Sequence, residues 1–461
     1  MSEAGISAVV VVTGERGSSS PPIMKLAQDH IFTILHLLPV DSIVSFSMTC
    51  KRFRALACSD SLWEAVCRRE LGPVPVEALK SSARHGFAWM KLFERVRKLD
   101  SVCCHRISNP DGDPSSPSPR ASHSLNFLTD YLVLFGGGCE GGRHLDDTWT
   151  AYVGESNHKM LKWRKVDSGT PSGRFGHTCV VLGQQLVLFG GINDRGDKYN
   201  DTWIGRVTFH EELSWKLLNV GSTQPPCRGA HAACCIGESK MVIHGGIGLN
   251  GVRLGDTWVL ELSEDLNSGT WHMLLSHPSP PPRSGHSLTC IRRNQVVLFG
   301  GRGLGYDVLD DVWLLDVQEH SNQWIQIFYD FHNVPASSSL PRVGHSATLI
   351  LGGWLLIYGG EDSHRHMKDD FWALDVNTIP SAGLQPPAVS LDGSSAWRRL
   401  KRISYGPKCQ SFHRACVDRS GRYVYVFGGM VDGLIQPASS SSSSGIRFGG
   451  ELFMVELVLG L

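Results

Sequence analysis

Along most of the chain, short apolar runs alternate with clusters of Gly, Pro, Asp and Ser, and the pattern repeats itself. Leu186-Val187-Leu188-Phe189 and Val296-Val297-Leu298-Phe299 are continuous apolar stretches suited to strands buried on both faces, and each ends in a Gly-Gly pair. The first glycine of each pair falls at Gly136, Gly190, Gly245, Gly300, Gly359 and Gly428, giving spacings of 54, 55, 55, 59 and 69 residues. In the same register stand His123, His177, His231, His286, His345 and His413, preceded three places earlier by Arg in five copies and by Gln410 in the sixth. Each glycine pair is followed by Trp149, Trp203, Trp258, Trp313 or Trp372, with Phe453 in the sixth place. Self-similarity at about 50 residues, with paired glycines and periodic Trp, predicts stacked four-stranded sheets.

Ahead of these repeats the spacing is helical. Leu26, Ile31, Ile34, Leu35 and Leu38 share one face of a helix that Pro39 ends. A second helix starts at Asp41 and carries Ile43, Val44 and Phe46. A third starts at Ser61, where Ser61 and Glu64 have the spacing of a capping box, carries Leu62, Trp63 and Val66, and stops near Gly72-Pro73. Phe87, Trp89, Met90, Leu92, Phe93 and Val96 recur at helical spacing over Phe87–Lys98, which predicts a packed connector helix in place of a loose tether.

A ring of such sheets needs one unit assembled from both chain ends, otherwise two edges stay open to pairing. The last repeat reaches Glu451-Leu452-Phe453 and stops before any second-Trp strand. Val102-Cys103-Cys104-His105-Arg106-Ile107 resembles Leu161-Lys162-Trp163-Arg164-Lys165-Val166, with Cys104 in the Trp place. The segment before the first repeat is therefore predicted to be the fourth strand of the last sheet.

Gly-Gly followed by Asp-x-Trp and a second Trp resembles the kelch repeat, over roughly residues 99–461. Leu37-Leu38-Pro39-Val40-Asp41-Ser42-Ile43, then Cys50-Lys51-Arg52-Phe53-Arg54-Ala55-Leu56, then Ser61-Leu62-Trp63 resembles the F-box over roughly residues 24–70. One departure is Leu26-Ala27, where that family usually opens with Leu-Pro. The expected fold is a small all-α F-box helical module followed by an all-β six-bladed kelch propeller. Its parts are a disordered tail (1–23), the F-box (24–70), a helical connector (71–98) and the propeller (99–461), closed by the strand near 102–107.

The resemblance implies a non-catalytic substrate-recognition subunit of an SCF-type ubiquitin ligase. Its F-box would dock on a Skp-type linker protein, and through it on a cullin scaffold and a ubiquitin-conjugating enzyme. Leu35, Leu38, Pro39, Val40, Ile43 and Trp63 match the family's linker contact. The propeller would bind the protein targeted for ubiquitination. The competing readings are a kelch-propeller enzyme or metalloprotein, an F-box adaptor not coupled to degradation, and a helical bundle that merely caps the propeller.

Composition narrows these readings. With 461 residues, 44 Lys plus Arg and 44 Asp plus Glu, the chain has room for a large core and a small second domain, and no excess charge favours nucleic acid or anionic lipid. Thirteen cysteines include no Cys-x-x-Cys pair and suit a reducing compartment. Ala8-Val9-Val10-Val11-Val12 is too short for a membrane span and has no preceding basic residue. An intracellular protein of the nucleus, the cytoplasm or both is expected. Residues 1–22, Ser108–Pro119 and Ser439–Ser444 read as flexible segments.

The chemical motifs are weaker than the repeat. Gly246-Ile247-Gly248-Leu249-Asn250-Gly251 matches a dinucleotide fingerprint, but Gly255-Asp256-Thr257-Trp258 follows it where a helix N-terminus is required. Histidines repeated in every unit predict buried structural side chains that satisfy backbone groups between blades. His364-Arg365-His366 is a lone His-x-His. The iron site of plant specifier proteins, which share the kelch fold, reads Glu-x-x-x-Asp-x-x-x-His; Glu261 and Asp265 fit, but Gly269 stands in the His place. No cofactor, metal or catalytic residue is expected. Light-sensing F-box/kelch proteins carry an N-terminal flavin domain, for which the two dozen residues before the F-box leave no room.

The expected substrate face is the one carrying the loops between Gly-Gly and the Trp strand. These hold Arg143, Arg195, Arg253, Arg302, Arg365 and Arg447, with Tyr199 and Tyr306 as aromatic anchors for an acidic or phosphorylated peptide. Glu140, Asp194, Asp197, Asp307, Glu361, Asp362 and Asp432 share those loops and cancel much of the field.

Overall fold

The computed structural model describes residues 22–82, 88–108, 115–154, 160–166, 171–207, 213–317, 322–331, 340–380, 388–431 and 447–459. The expected tail before residue 22, Phe87, part of Ser108–Pro119, Asp432 and Ser439–Ser444 lie outside the described residues. The chain divides into two compact units, one running to Glu70 with Ala88–Phe93, the other comprising Leu71–Phe87 and Glu94 onward. The expected connector 71–98 is thus split between them.

The first unit is helical: α1 (Gln28–Leu37), α2 (Val40–Ser47), α3 (Lys51–Ala57) and α4 (Asp60–Leu71). Leu38 is extended, as a residue before proline prefers, so α1 ends and Pro39 caps α2. Ile31, Leu35, Ile43, Phe53, Leu56, Leu62, Trp63 and Val66 form the interior. Inside it the Trp63 indole donates to the Ala57 carbonyl at 2.8 Å, and Phe46 stacks on Phe53 at 4.2 Å. The expected capping box at Ser61 is not formed, because α4 starts one residue earlier; the Trp63 amide bonds the Ser59 carbonyl. Two further helices follow, α5 (Pro73–Ser82) and α6 (Trp89–Arg97).

The second unit carries the repeats as six blades of four strands each, the fifth and sixth joined into one eight-stranded sheet by parallel pairing of Ser101–Ile107 with Trp397–Arg402. Blade 2 is representative, with strands Thr178–Leu182, Gln185–Ile192, Lys198–Val207 and Leu213–Leu217 in antiparallel order. First strands of successive blades neighbour one another in a closed circle, Ser124–Leu128 of blade 1 lying beside both Thr178–Leu182 and Arg414–Val417 of blade 6. In blade 6 the fourth strand is Ser101–Ile107, antiparallel to Leu452–Leu457 with Ile107 opposite Leu452 and Val102 opposite Leu457. Both chain ends therefore build one blade, and Cys104, 4% exposed, fills the place held by Trp elsewhere. Blade 4 gains a fifth strand, Ala388–Asp392, parallel to Asn322–Asp330.

The repeated residues hold each blade and each blade interface. Arg120, Arg174, Arg228, Arg283 and Arg342 are fully buried, and each forks onto the Asp that precedes the third-strand Trp: Asp147, Asp201, Asp256, Asp311 and Asp370. That Asp also accepts the indole N–H of Trp149, Trp203, Trp258, Trp313 or Trp372 at 2.7 to 2.8 Å. Burial by itself would raise the Asp147 carboxyl, but the bonds and charge of Arg120 outweigh it and hold the group below its ordinary value.

Between blades, the second glycine of each pair donates its N–H to the carbonyl of the next Arg or Gln, as in Gly137 to Arg174 at 2.9 Å and Gly429 to Arg120 at 2.8 Å. Gly137 has φ +102°, and a Cβ there would stand 2.8 Å from the His123 Cβ. Close backbone approach, in a conformation side chains resist, is why the pair is glycine.

An aromatic residue of each second strand meets the histidine of the next blade edge-on. Phe135–His177, Phe189–His231, His244–His286, Phe299–His345, Tyr358–His413 and Phe427–His123 have centroids 5.0 to 5.5 Å apart. The histidines lie between blades, as expected, and four of them pair with side chains there. His231 pairs with the Thr178 hydroxyl, His345 with Ser287, His413 with Ser346 and His286 with His244. Burial drives all six repeat histidines, and His244, well down from the imidazole range, to about 3 at His244, His345 and His413.

Candidate functional site

On the helical unit, the six residues matched to a linker contact separate into two groups. Leu35, Ile43 and Trp63 are 0%, 0% and 3% exposed and belong to the interior, so they are not presented to a partner. Leu38 and Val40 are half-buried and Pro39 is exposed. What α1, α2 and the turn after α2 do present is Ile34, Leu37, Val44 and Met48, with Leu37 at 81% and Met48 at 73%. A small surface carrying several large exposed apolar side chains marks an interaction site.

On the propeller, the Arg-x-x-His segments and the loops after each Gly-Gly pair gather at one end of the channel. The residue before each histidine, namely Ser122, Gly176, Ala230, Gly285, Gly344 and Phe412, has positive φ and donates its N–H to the same residue of the preceding blade at 2.7 to 2.9 Å. Six backbone bonds thus form a closed collar. Around it lies a cavity of about 410 Å³ whose apolar walls include Phe175, Ile192, Ile247, Phe412, Met430 and Phe448. Behind the collar runs a channel of about 360 Å³ lined by the first strands, with the hydroxyls of Ser124, Thr178, Ser287, Thr289, Ser346 and Thr348. Arg414 lines both spaces.

The arginines expected at this face do not form one charged ring. Arg302 pairs with Glu361 of the next blade, and Arg253 stacks on Tyr306 at 4.4 Å while bonding the Ser284 hydroxyl. Tyr199 lies over the buried Arg174 at 4.2 Å, so its ring is partly committed. Arg143, Arg195, Arg365 and Arg447 are exposed. Asp362 accepts from the amides of His364 and His366 and pairs with Lys368, which organises the loop around Arg365. The charge cancellation that loop composition suggests is thus realised in contacts.

The remaining motifs resolve into structure. Leu249–Gly251 is a single 3-10 turn that leads into the strand Arg253–Leu262, and no helix follows the glycines. Glu261 pairs with Lys240, and Asp265 caps its own turn through Ser263 and Asn267. Among the described residues, no group of three or more His, Cys, Asp and Glu is placed to hold a metal ion. Also among them, no helix is long and apolar enough to cross a membrane.

Two surfaces escaped the sequence: the outward apolar set Ile34, Leu37, Val44 and Met48, and Phe412 with Arg414. The second left a signal. The residue after each repeat histidine is Ser124, Thr178, Ala232, Ser287 and Ser346 in five copies and Arg414 in the sixth.

A helical module with an apolar docking surface, joined in one chain to a ring of kelch blades with a concave mouth, defines a modular binding protein. Comparisons agree. An F-box-like family model matches residues 29–69, and a model described as the KLHDC2/KLHL20/DRC7 Kelch-repeats domain matches residues 95–274 and 176–381. An F-box/kelch-repeat protein of Arabidopsis thaliana is 73% identical over 451 residues, covering 96% of this chain and 94% of the relative. The chain belongs to the F-box/kelch-repeat family. Adagio protein 3 of the same plant is 29% identical over 402 residues; 86% of this chain aligns, and it spans 60% of that longer relative. The solved structure of YjhT matches with a TM-score of 0.52 at 14% identity, covering 74% of this chain and 95% of that one, and shows the fold alone.

Proposed function

We propose that this F-box substrate adaptor is the recognition subunit of an SCF-type ubiquitin ligase. Its helical unit docks on a Skp-type linker and thereby on a cullin, while the propeller mouth holds the protein to be ubiquitinated. The observation that carries the reading is the exposed apolar set Ile34, Leu37, Val44 and Met48 on an F-box-like module. The targets reach the mouth from the side where Arg143, Arg195 and Arg365 are exposed, which offers acidic or phosphorylated segments forked hydrogen bonds. All thirteen cysteines are free thiols, which fits action in the nucleus or cytoplasm.

The test is co-purification of the full chain with a Skp-type linker protein. Leu37→Ala together with Met48→Ala should lower affinity at least about tenfold, since each removes apolar area that a partner would cover, while the helical circular dichroism stays unchanged. No association with the wild-type chain, or full retention by the double variant, would sink the ligase reading.

A further inference from the structure

Five first strands place a small residue just behind the collar, and the sixth places an arginine. Phe412, at the collar, and Arg414, entering a strand, both line the mouth cavity. The Phe412 ring covers Gly344, where a Cβ would stand 2.9 Å from it. Arg414 Nε donates to the His123 carbonyl at 3.0 Å, and among the described residues no carboxylate pairs with it. The five buried repeat arginines, by contrast, each have their Asp.

Burial lowers the Arg414 guanidinium to about 10, with no acidic neighbour opposing the shift. Its charge in turn depresses His123, His177, His231, His345 and His413, histidines of five blades, which fits a cation near the common axis. Arg414 is half-buried and opens onto the cavity it lines, where a bound anion can pair with it directly.

We infer that the mouth cavity is a ligand site for a small apolar carboxylic acid, whose carboxylate pairs with Arg414 while its apolar body lies against Phe175, Phe412, Met430 and Phe448. The volume of about 410 Å³ falls within the range of ligand cavities, which are mostly apolar with a few placed polar groups. The assignment is independent of the linker contact, since every residue involved is in the propeller. It is also distinct from the rim arginines, which lie on the outer loops.

The experiment is calorimetric titration of the full chain with 3-phenylpropionate, its neutral amide 3-phenylpropanamide, and acetate. The acid should bind at least about tenfold more tightly than the amide, the factor a charge-assisted pair supplies, and acetate should bind weakest for want of an apolar body. Arg414→Ser, which installs the residue Ser287 and Ser346 hold in their blades, should erase the preference for acid over amide. Arg414→Lys should keep part of it. Both variants are checked by melting temperature, and if the serine variant is unstable, Arg414→Met takes its place in the same comparison. Equal binding of acid and amide, no binding of the acid, or an unchanged preference in the neutral variant would overturn the assignment.

Discussion

Three blade interfaces share an indole hydrogen bond that the interface between blades 4 and 5 lacks, and restoring it there should stabilise the propeller. The fourth-strand indoles of Trp215, Trp271 and Trp324 donate to Thr148, Thr202 and Thr257 of the preceding blade at 3.1, 3.3 and 3.1 Å. The corresponding residue facing Trp397 is Val312, and the Trp397 Nε1 is buried without a partner. Val312→Thr exchanges a methyl for a hydroxyl at almost constant shape.

The orphan N–H already bears its desolvation cost of about 1 to 3 kcal/mol, which a new acceptor recovers. Against this stand a lost methyl burial of about 0.8 kcal/mol and some cost of burying the hydroxyl proton. The net expectation is a gain of about 1 kcal/mol. Thr257→Val is the mirror test, expected to lose about 1 kcal/mol by orphaning Trp324. The assay is the urea midpoint followed by circular dichroism, with the slope checked for constancy. If Val312→Thr is neutral or destabilising while Thr257→Val costs stability, the orphan at Trp397 is not a defect and the reasoning fails.

Two other outcomes follow from the same interfaces. The buried histidines have folded pKa values below their unfolded value, so the unfolded chain takes up protons that the folded chain refuses, and stability falls as pH drops from about 6.5 towards about 3. Each contributes a loss of about 1 kcal/mol between pH 7.5 and 5.5, so His244, His345 and His413 together lower stability measurably, and equal urea midpoints at the two pH values would contradict this. Gly137→Ala should cost about 2 kcal/mol or more, because its Cβ would meet backbone and His123 at under 3 Å as well as a strained φ. Gly141→Ala, also at positive φ but facing open space, should cost only about 1 kcal/mol, and similar melting temperatures for the pair would remove close approach as the reason for the glycine.

The repeat made the propeller legible because its glycines, histidines and indoles recur at matching positions in every blade. The Arg–Asp–Trp ties were less visible. Arg174 and Asp201 are 27 residues apart, and only the folded blade shows that the buried arginine of one motif answers the carboxylate of the next. In the helical unit, α3 is seven residues long, too short for periodicity to declare it, and Lys51, Arg52 and Arg54 dilute its apolar signal. The mixed fate of the F-box positions has a similar cause. Both sides of α1 and α2 carry apolar residues, so spacing names Leu35 and Ile43 alongside Ile34 and Val44 without saying which side the rest of the module covers.

Periodicity separates architecture from recognition in such a chain. A residue that recurs in every blade serves something every blade needs, and here that is the glycine contact, the arginine fork or the histidine between sheets. Recognition needs asymmetry, because a single ligand cannot satisfy six equivalent sites at one axis. The strongest departures fall in blade 6, where Gln410 replaces the buried arginine, Phe412 replaces a small collar residue and Arg414 replaces a small channel residue. Gln410 forfeits the arginine fork while Phe412 keeps its collar bonds, and blade 6 is held by the strand Ser101–Ile107 and the bond from Gly360 to the Gln410 carbonyl. The blade assembled from both chain ends is therefore the one in which the collar and channel are specialised, and it is where substitutions that change ligand choice without unfolding the propeller should concentrate.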